Sequence, residues 1–282
     1  MTGRIAFQGE LGAYGHQACT EAQPGMEPLP CPTFEDAIDA VRRGEAQLGM
    51  IAVENSTYGR VADVHQLLPE SGLHITGEAF VRVHINVLGP RGARLDGLRR
   101  VRAMDILFGQ ARGFLREQGL ETLKWADNAA AAREVATLND PAEGAMGSEL
   151  AAQVYGLDVL ARHVEDHDRN TTRFLMMARD LDLRRRGKGP MMTSFVFRVR
   201  NIPAALFKAM GGFATNGINM TKLESYMVGG NFTATQFYAE VEGHPDDRAM
   251  QLAFEELDYF TDHLRLMGVF PADQRRYEVA RG

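Results

Sequence analysis

"DLDLRRRGKGP", residues Asp180 to Pro190, separates two differently patterned parts of the sequence. It gathers charge, glycine and proline with little apolar content, the texture of an exposed connection between domains. At 282 residues the chain is long for a single core, and at about 150 residues per domain it divides in two. The boundary is therefore expected at 180–190, leaving domains over 1–180 and 190–282.

Ahead of this stretch, short strand-like runs alternate with helix-like ones. "RIAFQ" leads to a helix over 33–43, then "LGMIAV", then a helix expected near Tyr58 after "ENSTYG". The 33–43 helix has a capping pattern, Thr33 with Asp36 three residues on, and a stripe of Phe34, Ala37, Ile38 and Val41 to bury. "LETLKWA", "NAAAAREVATL", "EGAMGS" and "ELAAQVYG" continue the alternation, which predicts an α/β domain with largely parallel sheets. Beyond the connection the order changes. "TSFVFRV" puts Phe195, Phe197 and Val199 on one face, and Pro203 opens a helix with Leu206, Ala209, Met210 and Phe213 on its stripe, ending at Gly217. "NMTKLESYMV" and "FTATQFYAEV" flank the hairpin signal Gly229-Gly230-Asn231. A helix with Met250, Ala253, Phe254 and Leu257 and the strand "HLRLMGVF" complete a βαββαβ series, the ferredoxin-like plan.

Bulk properties narrow the function. A formal net charge of -6 argues against nucleic acid as partner, although local basic groups and helix amino termini can still receive a small anion. Cys19 and Cys31 are too few for a disulfide framework and fit a reducing compartment. The start lacks a basic segment followed by a long apolar stretch, and no apolar run approaches the roughly 20 residues that cross a bilayer. A cytoplasmic protein without membrane contact is expected.

Three polar stretches are candidates for chemistry. In "ENSTYG", Glu54, Asn55, Ser56 and Thr57 lie between a buried strand and an expected helix start, where free N–H groups could dock a carboxylate or Asn and Ser could simply cap. "FQGELGAYGHQA" carries Gly9, Gly12 and Gly15 without the spacing of a dinucleotide fingerprint; it is a tight turn or a second anion-binding helix start. "DRNTTRFLMMA", residues 168–178, sets Thr172 and Arg173 at the edge of a buried strand, a hydroxyl donor and a forked cation or an ordinary strand entry. In "HVEDHD", His163 and His167 stand four apart among acids, which reads as a solvated approach to that strand in preference to a metal site. Trp125 reads as core or cleft packing.

Taken together, "GELGAYGH", "ENSTYGRV", "NTTRF" and "GINMTKLES" resemble prephenate dehydratase with a carboxy-terminal ACT regulatory domain, over nearly the whole chain. The resemblance implies an α/β catalytic domain like a type II periplasmic binding protein, its first lobe formed by about 1–78 with a return near 165–178. It implies conversion of prephenate to phenylpyruvate without a metal or organic cofactor. Thr172 would donate to the leaving hydroxyl. Asn55, Ser56 and Gln110 would line the substrate site, joined by Thr57, with Glu54 and Asp127 in support and Arg173 holding a carboxylate or bracing the cleft. In the ACT part, Ala204, Ala205, Leu206, Asn219, Leu223, Glu224 and Ser225 would bind phenylalanine as effector between subunits of a homodimer or homotetramer. A narrower variant uses arogenate, and a different class would be a non-catalytic module that senses an aromatic amino acid.

The sequence departs from the resemblance in three places. Gly15-His16 and Ala103-Met104 stand where many relatives carry Ser-His, which removes two hydroxyls from the expected cleft, and Tyr226-Met227 replaces Arg-Pro.

Overall fold

A computed structural model describes residues 3–184, 186–200, 202–227 and 234–280. Packing divides the chain into two units, one built from the chain up to Val61 and from Ala79 to Phe174, the other from Ala62–Glu78 and from Leu175 onward. The basic stretch at 180–190 thus lies inside the second unit. Charge and glycine mark where the chain is exposed; contact density changes elsewhere, where β strands pass from one unit to the other.

The first unit opens with β1 (Arg4–Gln8), α1 (Tyr14–Ala22), β2 (Glu27–Cys31), α2 (Phe34–Arg42), β3 (Leu48–Asn55) and the short β4 (Gly59–Arg60). The chain passes through the second unit as α3 (Ala62–Leu67) and the start of β5 (His74–Arg82). It returns as β6 (Asn86–Gly89), β7 (Arg100–Ala103), α4 (Asp105–Gln110), α5 (Arg112–Gln118), β8 (Glu121–Lys124), α6 (Asn128–Leu138), β9 (Glu143–Gly147), α7 (Glu149–Tyr155) and β10 (Asp158–Ala161), and enters β11 (Thr171–Ala178). These strands form two sheets within the unit. In one, β11, β3, β1 and β2 lie side by side, with β1 parallel to both neighbours. The other has the order β10-β6-β9-β7-β8. Only β7 pairs in parallel there, with β8 and β9; β6 runs antiparallel to β9 and β10. The expected parallel character therefore holds for β7, β8, β9 and β10, which follow one another through helices, and fails for β6, which runs against both its neighbours.

Local sequence explains the elements that frame the site. Thr33 Oγ1 accepts the Asp36 N–H at 3.1 Å and starts α2, which buries Ala37, Ile38, Ala40 and Val41. Phe34, expected in that stripe, is only half-buried, because in the first turn it faces a cavity. No helix begins at Tyr58: residues 55–58 form a turn into β4, and α3 starts at Ala62.

In the second unit, β12 (Met191–Val199), α8 (Ala205–Thr215), β13 (Met220–Met227), β14 (Ala234–Glu242), α9 (Arg248–Phe260) and β15 (Thr261–Pro271) follow in βαββαβ order, with α10 (Arg275–Ala280) after them. The strands are antiparallel neighbours in the order β13-β14-β12-β15, and β15 continues in parallel to β5 through Gly268 and Ile75. Phe195, Phe197 and Val199 meet Ala209 and Phe213 of α8 and Met250, Ala253 and Leu257 of α9 in one core, so both helices cover one face. Gly217 takes φ +67°, the left-handed turn that ends α8. The hairpin signal 229–231 lies outside the described residues. Arg276 of α10 reaches the buried carboxylates of Glu78, at 2.5 Å, and Glu240, at 3.4 Å. No helix among the described residues is long and apolar enough to cross a membrane.

Candidate active site

The first unit encloses a cavity of about 150 Å³. Met50 and Ala52 of β3, Thr172 and Phe174 of β11, and Phe34 form one wall. The other walls are turns at helix starts: Gly12 to Gly15 ahead of and within α1, Asp127 to Ala129 at α6, Ser148 at α7 and Met104 at α4. Alternation along β11 decides which side chain looks in. Thr172 and Phe174 face the cavity, while Thr171 and Arg173 are buried on the opposite face.

Thr172 is held by the polar turn after β3. Asn55 Nδ2 donates to Thr172 Oγ1 at 3.0 Å and to Asn170 Oδ1 at 2.7 Å. Its Oδ1 accepts the Thr57 N–H at 2.9 Å and the Tyr58 N–H at 3.1 Å. All four hydrogen-bonding positions of the amide are thereby used inside the protein. Because Thr172 Oγ1 accepts from Asn55, its own proton remains available to a ligand in the cavity. Of the two readings of this turn, docking of a carboxylate or capping by Asn or Ser, the Thr57 and Tyr58 N–H groups follow the second, since Asn55 takes both.

Other residues expected at the substrate brace this arrangement. Ser56 Oγ donates to the Arg169 carbonyl at 2.6 Å and accepts the Thr171 N–H at 2.9 Å, stapling the turn to the start of β11. Arg173 is buried, donates to Glu54 Oε1 at 2.8 Å and lies over the Phe80 ring at 6.0 Å. Glu54 and Arg173 thus pair with each other. Gln110 is buried at the end of α4, where its carbonyl accepts the Asp166 N–H at 2.7 Å, and Thr57 is exposed. Neither lines the cavity, and neither do Asn55, Ser56, Glu54 or Arg173. Asp127 does line it; it caps α6 through the Ala130 N–H at 2.8 Å.

The glycine stretch forms a tight turn. Gly9 and Gly12 take φ +111° and +94°, and a Cβ on Gly12 would sit 2.8 Å from the Ala151 Cα. Ser148 Oγ donates to the Gly12 carbonyl at 2.5 Å, tying the starts of α1 and α7 together. At Gly15 the Phe7 ring lies 3.0 Å from where a Cβ would stand, so this chain fills with an aromatic ring the space a serine would need. His16 is buried, accepts the Gly12 N–H at 2.9 Å, and burial holds its pKa below the ordinary 6.5. Tyr14 donates to the His84 carbonyl at 2.8 Å; burial first, and the Glu165 carboxylate second, push its pKa up, so it stays protonated. His163 stacks on His84 at 4.0 Å, and His167 is exposed. Trp125 is half-buried with the Arg102 guanidinium 5.7 Å over its ring. A larger open depression of about 860 Å³ around Arg94, Asp96 and Arg162 contains none of the candidate residues.

Sequence reading missed Phe34, Met50, Ala52 and Ser148 as cavity walls. For Ser148 a signal existed, since Ser before a helix is a cap and the other cavity turns are helix starts too. Apolar wall residues carry no such mark.

The sequence pattern of the family described as prephenate dehydratase matches residues 5–181. The chain belongs to the prephenate dehydratase family. It is accordingly a carbon–oxygen lyase. It is 47% identical over 273 residues to the bifunctional N-acyl-homoserine lactone acylase/prephenate dehydratase of Komagataeibacter europaeus, covering 96% of this chain and 97% of that one. It is 35% identical over 281 residues to arogenate dehydratase/prephenate dehydratase 2 of Arabidopsis thaliana, covering 96% and 73%. The solved structure of prephenate dehydratase from Arthrobacter aurescens in complex with L-Phe superimposes with a TM-score of 0.86 at 25% identity, covering 97% of this chain and 91% of that one.

In the second unit, the residues singled out for effector binding fall around α8 and β13. Ala204 takes φ +60° ahead of α8, and Ala205 and Leu206 open that helix. Asn219 donates to Glu242 Oε2 at 3.1 Å. Along β13, Leu223 and Ser225 are exposed. Glu224 points the other way, 3.5 Å from Lys222 Nζ and 3.9 Å from His65 Nδ1, and the His65 ring stacks on Tyr226 at 4.2 Å.

Proposed function

We propose that this chain dehydrates and decarboxylates prephenate to phenylpyruvate, with Thr172 as the group that meets the leaving hydroxyl. One observation carries the reading: Thr172 faces the cavity with its oxygen lone pair engaged by Asn55 and its proton given to no acceptor among the described residues. In the reaction the ring carboxylate leaves as carbon dioxide, its bonding pair closes the aromatic ring, and the C–O bond breaks. The departing hydroxide takes a proton and leaves as water. Aromatisation supplies the drive, so the protein has to orient the substrate and stabilise charge growing on one oxygen. A threonine is a weak acid and acts here as hydrogen-bond donor or relay. Asn55 is a positioning residue, Ser56, Glu54 and Arg173 brace the turn, and Gln110 supports α4. Substrate carboxylates have the first turn of α1 within reach, whose N–H groups favour anions.

The catalytic part is read as 1–180 with two periplasmic-binding-like lobes, and 190–282 as an ACT regulatory domain. The βαββαβ order of β12 to β15 and the phenylalanine in the Arthrobacter aurescens structure support this. Ala204, Ala205, Leu206, Asn219, Leu223, Glu224 and Ser225 would take phenylalanine in a pocket shared between subunits of a homodimer or homotetramer. The outward exposure of Ala204, Asn219, Leu223 and Ser225 on a single chain fits that sharing. Phenylalanine would act by favouring a less active arrangement.

A second reading follows from the 47% relative, whose name includes an N-acyl-homoserine lactone acylase. The apolar wall of Phe34, Met50 and Phe174 could receive an acyl chain. Purified protein given prephenate should form phenylpyruvate, followed by absorbance, and phenylalanine should reduce the rate. Binding of prephenate without product rejects the dehydratase reading, and release of homoserine lactone from an N-acylated lactone in parallel samples tests the second.

A further inference from the structure

The charge of the cavity is one-sided. Its polar walls are neutral groups such as Thr172, Ser148 and Asn128; among the described residues no lysine or arginine lines it, and Asp127 is its one charged side chain. Asp127 spends Oδ1 on the Ala130 N–H at the start of α6. Its Oδ2 lies 3.3 Å from where a Cβ on Gly9 would stand, so it faces a turn kept open by the missing side chain. A carboxylate in this place repels a substrate whose only charges are negative and attracts one that also carries a cation. The two acids named for the Arabidopsis thaliana relative differ in that respect: prephenate has a keto group beside its side-chain carboxylate, arogenate an ammonium group.

Resting on the dehydratase reading above, we infer that Asp127 selects the side chain of the substrate by pairing with an α-ammonium group, and that arogenate is the better substrate. The chemistry at the ring is the same for both acids. Carbon dioxide leaves, its bonding pair enters the ring, hydroxide departs with one added proton, and the side chain is unchanged, so arogenate yields phenylalanine directly. Asp127 acts on selection alone and takes no part in the proton transfer.

The test compares kcat/KM for prephenate and arogenate in the wild type and in Asp127→Asn. Asparagine also caps helices well, so the variant removes the charge and keeps the α6 start. The wild type is expected to favour arogenate by about tenfold or more, the ratio that one modest charge pair supplies at 1.4 kcal/mol per decade. In Asp127→Asn the ratio should fall toward unity. A wild type that favours prephenate overturns the inference without help from the variant. A ratio unmoved by Asp127→Asn in a variant with unchanged thermal midpoint also overturns it, by removing Asp127 as the cause. Turnover of neither acid by the wild type rejects the dehydratase reading itself, and this inference with it.

Discussion

At the scale of single residues, the amide of Asn55 holds the site together. It satisfies two backbone N–H groups and two side-chain oxygens at once. Asn55→Asp keeps the shape but sets an acceptor against the Asn170 amide oxygen and draws the Thr172 proton away from the cavity. A loss of at least about tenfold in kcat is expected, with about 1–3 kcal/mol of stability, read from turnover and urea unfolding. His16 gives a pH signature. Its folded pKa lies below the ordinary 6.5 because burial disfavours the cation, so the unfolded chain binds the proton more readily. Its stability contribution is full above about pH 6.5 and is lost as pH falls through that value toward the folded one. Urea midpoints measured between pH 5 and 8 should drop on the acid side, and His16→Gln should flatten that drop. Thr172 stood out in the sequence as a hydroxyl ahead of an apolar strand, with an ordinary strand entry as the equal reading; the donor role came from the resemblance. That Ser56 staples the turn was not legible, and whether Arg173 holds a carboxylate or braces the cleft stayed open, because which face of a strand a residue takes depends on register.

At the scale of elements, the cavity is made where loops end and helices begin. Strong local signals predicted α2 with its Thr33 cap, α6 with its small apolar run, and the alternation of β12. The turn at 55–58 was misread as a helix start, because Asn and Ser ahead of apolar residues serve Asx turns and helix caps alike. The starts of α1 and α7 are coupled through Gly12, whose carbonyl takes the Ser148 hydroxyl and whose Cα leaves no room beside Ala151. Gly12→Ala meets both a left-handed backbone and a 2.8 Å approach to backbone. It is expected to destabilise the protein by roughly 1–3 kcal/mol and to raise KM, which calorimetry and kinetics would register. Unchanged values of both would mean that these helix starts move independently.

At the scale of the whole molecule, composition located an exposed basic stretch, while packing joined Ala62–Glu78 to the carboxy-terminal part. That union could not be read from sequence, since it depends on β15 pairing with β5 through residues almost two hundred positions apart. The polar turn of the site ends at Val61, where the chain enters the second unit. Phenylalanine at a hundred times its dissociation constant should stabilise the chain by about 2.7 kcal/mol in urea unfolding, and no stabilisation at any concentration would remove it as a ligand. The most direct measurement is single-turnover dehydration by Thr172→Ala beside Thr172→Ser and the wild type, with prephenate and arogenate as substrates. Alanine should slow the chemical step by about 100-fold or more, and serine, which keeps a hydroxyl, by much less. An alanine variant within about twofold of the wild type on both acids contradicts the assignment of the leaving oxygen to this side chain.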